Sequence, residues 1–157
     1  MEALTRFYHE EEASGQKPLS VEAGVHASHS APRGCGAGLI ASTTRPEGTV
    51  IVDYKSSDVT EQKAADQRAR ESLQLKMYAL AHQQATGELP ARVELRFLES
   101  GLAGRHTPTD QDLADARTAI EEAAAGIRAR QFEATPGYQT CRYCAYNQIC
   151  PSTATKE

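Results

Sequence analysis

Eight residues, Gly48-Thr-Val-Ile-Val-Asp53-Tyr-Lys55, constrain this chain more than any other stretch. Their Val/Ile content predicts a central strand, and the strand ends in an acid and an amine two residues apart. Residues two apart on a strand share a face, so Asp53 and Lys55 project side by side. Metal-dependent cleavage of a phosphodiester uses such a pair, the acid to hold a divalent ion and the cation to position water or offset developing charge. A solvated strand end is the other reading of the same residues.

The segment from Asp66 to Ala85 lacks proline and glycine, and Leu73, Met77, Leu80 and Ala81 recur at helical spacing. A single helix is predicted there. Gln74 and Tyr78 stand four apart and so occupy one stripe of its surface. A strand carrying Asp-Tyr-Lys, a short polar loop and a helix carrying Gln-x-x-x-Tyr resembles the PD-(D/E)XK nucleases of the RecB type, including the nuclease domains attached to UvrD-like helicases and AddB.

That resemblance implies an α/β fold, a restriction-endonuclease-like core with a mixed central sheet flanked by helices. It implies hydrolysis of DNA by a site of Asp53, Lys55, Gln74 and Tyr78, with Mg²⁺ or Mn²⁺ held by Asp53 and the backbone carbonyl of Tyr54. It also implies work in DNA repair or recombination beside a helicase, either fused or separate, that feeds single strands to the site. The chain itself has no Gly-x-x-x-x-Gly-Lys-Ser/Thr loop for an ATPase of its own.

Near the C-terminus, Cys141, Cys144 and Cys150 have the spacing C-x2-C-x5-C and precede Pro151. Spacing alone suits zinc or an iron–sulfur cluster. Nothing at the start reads as a signal peptide, so a reducing, cytoplasmic setting with free thiols is expected rather than disulfides. The resemblance favours a [4Fe-4S] cluster on these three cysteines, with zinc the alternative. Cys35, in a glycine-rich run, is read as an incidental thiol.

The first 47 residues fit the resemblance least. Glu2 to Ala13 is predicted helical, with Leu4, Phe7 and Tyr8 on its apolar side, and Pro18 opens a short extended segment from Leu19 to Glu22. Ala23 to Thr44 is small and polar, with poor strand propensity. The family places its first acid about a dozen residues before the Asp-Tyr-Lys strand, yet here Gly38-Leu-Ile-Ala41-Ser42 aligns with it and alanine stands at the acid's position. No Asp or Glu occurs between Glu22 and Glu47. One carboxylate holds Mg²⁺ weakly, so an N-terminally truncated or impaired copy of the domain is expected. His9, His26 and His29 are read as surface residues.

Downstream, Ala91 to Leu98 alternates Val93, Leu95 and Phe97 with polar neighbours, as a strand buried on one face does. Thr109 or Asp110 is placed to cap a helix running through Leu113, Ala116, Ile120, Ala123 and Ile127 to about Gln131. With 157 residues the chain suffices for one core, divided as 1–47, 48–132 and a Cys-rich 133–157 whose end, from Ser152, is a frayed tail. No apolar run is long enough to span a membrane. The net charge of −4 argues against broad attraction to DNA and leaves a locally basic cleft as the requirement. Two other classes fit the residues: a noncatalytic DNA-binding or scaffold module, and a zinc-ribbon-like interaction protein in which only the terminal cysteines matter.

Overall fold

The computed structural model describes residues 5–6, 8–9, 12–13, 23–26, 36–39, 41–46, 48–57 and 59–155. Thr5, Arg6, Tyr8, His9, Glu12 and Ala13 are helical. Tyr8, expected on the apolar side, is instead 59% exposed and donates its hydroxyl to Glu12. Leu4, Phe7, the segment from Leu19 to Glu22, Cys35 and Glu47 lie outside the described residues. The small polar run nonetheless contributes three strands, β1 (Ala23–His26), β2 (Gly36–Leu39) and β3 (Ala41–Arg45). β1 and β2 pair antiparallel as a two-stranded sheet, so pairing prevails over weak local propensity.

The Val/Ile strand is β4 (Gly48–Lys55). It lies inside a four-stranded mixed sheet of order β3-β4-β5-β6, where β5 is Arg92–Phe97 and β6 is Ala103–His106. β4 runs antiparallel to β3 and parallel to β5, and β5 runs antiparallel to β6. On one face Ile51, Val93, Leu95 and Phe97 join the main core; on the other Val50 and Val52 pack with Tyr54. Asp53 pairs with Leu95 and Lys55 with Phe97 in the ladder, which puts both side chains on the main-core face.

The single helix expected after β4 is two helices, α1 (Gln62–Glu71) and α2 (Leu73–Thr86). Ser72 breaks them with φ −68° and ψ 106°, and its hydroxyl accepts the N–H of Leu75. Serine is a strong N-cap because its oxygen satisfies an otherwise orphaned donor. The break changes the buried face: Leu75, Tyr78, Ala79 and Leu80 are buried, whereas Leu73 is exposed and Met77 and Ala81 are partly so.

In β5 the expected apolar residues are buried, but so is Glu94, at 1% exposure. The strand is therefore covered on both faces, contrary to the one-sided burial its alternation suggests. β6, which sequence patterning did not anticipate, is crossed closely by α1. An added Cβ at Gly104 would sit 2.0 Å from the Ala65 carbonyl oxygen, so only glycine admits this approach.

The helix α3 (Asp110–Arg128) buries Leu113 and Ala116, while Ile120 and Ile127 of the expected stripe are exposed. The chain divides into two compact units, residues Met1–Ala119 and Ile120–Glu157. In the second unit the short helix α4 (Tyr138–Arg142) precedes a series of turns. The residues after Ser152 are not a frayed end through Thr155: Thr153 and Thr155 both donate their hydroxyls to the side-chain amide oxygen of Asn147. Among the described residues no helix is long and apolar enough to cross a membrane.

Candidate active site

Asp53 has no solvent exposure, and neither carboxylate oxygen accepts a hydrogen bond among the described residues. Lys55 Nζ approaches Oδ2 to 2.7 Å as an ion contact outside hydrogen-bond geometry. A buried carboxylate without donors is costly unless a cation compensates it. The shared strand face supplies that cation from two residues away, and Lys55 keeps about a third of its side chain exposed. The pair thus has one end sealed in the core and the other open to a substrate.

The helix following the Ser72 break completes the arrangement. Lys55 Nζ donates to Gln74 Oε1 at 2.7 Å, and Gln74 Nε2 donates to the Tyr78 hydroxyl at 2.8 Å. An ammonium has only donors, so it selects the amide oxygen and turns the amide nitrogen toward Tyr78. The tyrosine oxygen accepts, which leaves its own hydrogen as a donor. All four side chains predicted from strand and helix spacing are therefore brought into one polar chain, Asp53–Lys55–Gln74–Tyr78, anchored at both ends by buried groups.

The orphaned Asp53 carboxylate is the feature that fits a divalent metal. Mg²⁺ keeps several waters and binds through one or two carboxylates plus substrate phosphates; Asp53 would supply one such carboxylate, which alone holds the ion weakly. The Tyr54 side chain lies on the opposite sheet face from Asp53, so Tyr54 could contribute a ligand only through its backbone carbonyl, as the resemblance implies. Ala41, at the position of the missing acid, pairs with Val52, one residue short of Asp53. Glu22 and Glu47 lie outside the described residues.

The cysteine run behaves differently from the expectation of a cluster. Among the described residues no three His, Cys, Asp or Glu side chains gather to hold a metal ion. Cys144 is exposed, while Cys141 and Cys150 are partly buried. The Cys141 sulfur instead accepts the N–H of Ala154 at 3.5 Å. That bond, with help from Gly137 and Thr153, pulls the thiol below its usual pKa. Among the described residues no metal-holding group forms at Cys141, Cys144 and Cys150, and the Ala154 amide hydrogen-bonds to the first of the three sulfurs.

One polar cluster escaped the sequence reading. Asp112 accepts hydrogen bonds from the Thr109 amide at 2.9 Å and the Thr109 hydroxyl at 2.8 Å, and Lys76 Nζ lies 3.0 Å away. His106 Nε2 is 2.8 Å from Asp112 Oδ2, and since a carboxylate only accepts, that nitrogen carries the proton. Burial works to raise the Asp112 carboxyl, but His106, Thr109 and Lys76 together hold it well below the usual carboxylate range. Lys76 is raised, chiefly by its hydrogen bond to Asp115. Thr109-x-x-Asp112 is a reciprocal cap at the start of α3, and its spacing was the available signal. The cluster ties α2 and β6 to α3 and thereby fixes the helix that carries Gln74 and Tyr78.

No curated protein is significantly similar to the chain. The sequence profile of the PD-(D/E)XK nuclease superfamily matches residues 1–151, which takes in the Asp-x-Lys strand, the Gln-x-x-x-Tyr helix and the cysteine run together; the chain belongs to that superfamily.

Proposed function

We propose that this chain is a metal-dependent deoxyribonuclease of the RecB type that hydrolyses DNA phosphodiester bonds at Asp53 and Lys55. The observation that carries the reading is the fully buried Asp53 carboxylate, without a hydrogen bond, beside a lysine held from the other side by Gln74. A divalent ion bound there supplies activation of water and neutralisation of phosphate charge. Asp53 provides the fixed negative charge, and Lys55 orients the attacking water or offsets charge developing on the scissile phosphate. Gln74 restricts the long lysine side chain to one position, and Tyr78 holds the Gln74 amide while offering its own O–H.

The resemblance supports a helicase, in the same polypeptide or a separate subunit, as the source of single strands, and a cytoplasmic setting for DNA repair. No step of this reading runs through a cluster at Cys141, Cys144 and Cys150. The test is Mn²⁺- and Mg²⁺-dependent cleavage of single-stranded and duplex DNA, with Asp53→Ala and Lys55→Ala as controls. Cleavage lost in both variants supports the reading. A folded protein that binds DNA and leaves it intact instead assigns a noncatalytic module, which the alanine at position 41 favours.

A further inference from the structure

One exposed guanidinium is tied to the strand next to Lys55, and the polar chain of the site does not use it. Arg68 lies in the last turn of α1, with its Cζ 5.9 Å from the centre of the Phe97 ring. That ring belongs to the main core and is almost wholly buried. A cation within about 6 Å of a ring centre is attracted by the negative face of the ring, and the arginine stem adds apolar cover. Among the described residues Arg68 makes no hydrogen bond or ion pair. Its five N–H donors therefore have no oxygen partner, although the ring contact restricts where they can reach.

Phe97 sets the place of this cation. It is the ladder partner of Lys55 in the parallel β4–β5 pair, so its side chain shares the sheet face of Asp53 and Lys55, one strand spacing of about 4.8 Å away. Lys55 and Phe97 are also the last residues of their strands. In α/β sheets the crevice outside the carboxyl ends of parallel strands is where ligands bind. The Ser72 break divides the two helices over this edge: α2 brings Gln74 to Lys55, and α1 brings Arg68 to Phe97. Arg70 is exposed in the same turn of α1, but two residues carry it about 200° around the helix axis, away from the Phe97 ring.

A chain with net charge −4 needs its attraction for a polyanion concentrated at such an edge, and the planar guanidinium fork matches phosphate oxygens. We propose that Arg68 is a substrate-binding residue of the site, donating to a backbone phosphate oxygen of the DNA strand held at Asp53 and Lys55. This assignment rests on the nuclease reading for the identity of the ligand, and on the Arg68, Phe97 and Lys55 adjacency for the place. A contact to the backbone is made in the bound substrate and in the transition state alike, so its loss raises KM and leaves kcat little changed. Loss of Lys55, which acts at the scissile phosphate, falls on kcat instead.

The experiment compares the full chain with Arg68→Met, which keeps an unbranched apolar stem over the Phe97 ring and removes the donors and the charge. Thermal melts establish that the variant folds. Steady-state cleavage of single-stranded DNA in Mn²⁺ is read beside the anisotropy of a fluorescein-labelled single strand in EDTA, where metal-dependent cleavage cannot intervene, over a range of salt. Arg68→Met is expected to raise KM and weaken binding in EDTA by about tenfold or more, the worth of one hydrogen bond to a charged group. The salt slope should become shallower by about one phosphate contact, and Arg68→Lys should recover part of the loss. Arg70→Met is the control for charge alone and is expected to change neither quantity appreciably. Unchanged KM, affinity and slope in a folded Arg68→Met overturn the proposal, and so do equal losses in Arg68→Met and Arg70→Met, which would reduce the effect to net charge. Weakened binding by Arg68→Met of a protein that proves unable to cleave DNA upholds the phosphate contact while removing the nuclease reading; cleavage that Arg68→Met leaves unaltered does the reverse.

Discussion

Lys55 Nζ and Gln74 Oε1 meet at 2.7 Å across 19 residues of sequence, joining the end of the central strand to the first turn of the capped helix. The same amide reaches Tyr78 through its nitrogen. On the proposed reading Gln74 acts on the reaction through Lys55, as a positioning residue. Gln74→Ala is expected to lower kcat by about tenfold to a hundredfold, the cost of misplacing a catalytic group by about an ångström, with KM for DNA little changed. Gln74→Glu, which keeps an acceptor for the ammonium, should recover much of the loss, whereas a purely structural role would show as a lowered Tm in both variants. Steady-state kinetics and melting of the two variants distinguish these outcomes.

A cation that compensates Asp53 must stabilise the fold, because its two oxygens have no other hydrogen-bonding partner among the described residues. Mn²⁺ at ten times its dissociation constant is expected to stabilise the protein by about 1.4 kcal/mol. Asp53→Ala should abolish the corresponding rise in Tm. This measurement is independent of turnover, and an equal Mn²⁺ shift in the variant would place the ion elsewhere.

Strand β4 and the alternation of Val93, Leu95 and Phe97 were legible because side-chain period in a strand is fixed at two. The Gln74–Tyr78 pair was legible because four residues return a helix to the same side. What patterning missed has physical causes in tertiary contact. Ser72 interrupts a segment whose composition is helical throughout, since a capping hydroxyl competes with the i to i+4 ladder. Glu94 looks like the solvent side of a strand but lies among arginines. The Arg6 contact with Leu98 spans 92 residues, a separation no local spacing rule reaches. The cysteine run has the spacing of a metal site, but spacing does not report the hydrogen bond from the Ala154 amide to the Cys141 sulfur, 13 residues away.

Gly104→Ala tests how closely α1 rides on β6. The new methyl would fall 2.0 Å from the Ala65 carbonyl oxygen, a backbone atom that cannot swing aside. Destabilisation of about 3 kcal/mol, the upper part of the range for overpacking, is expected in chemical denaturation. A change below about 1 kcal/mol would mean that α1 moves away from β6 at little cost.

Asp112 predicts how the fold responds to acid. Its carboxyl is held below the usual carboxylate range by His106, Thr109 and Lys76, which outweigh the opposing effect of burial. A group whose folded pKa is depressed contributes stability above its unfolded pKa and loses it as pH falls toward the folded value. Between those two values the unfolded chain binds more protons, so unfolding free energy rises with pH there. The window opens below about pH 4, the ordinary aspartate range, and extends downward. Asp112→Asn keeps one acceptor oxygen but removes the charge that Lys76 and His106 meet; it is expected to lower stability at neutral pH by about 1–3 kcal/mol and to flatten the acid limb of the stability curve. Denaturant titrations of both proteins from neutral pH to below about pH 3 measure this directly. Parallel acid limbs would show that other carboxylates, and not the Thr109–Asp112 cap joined to His106 and Lys76, govern the acid response.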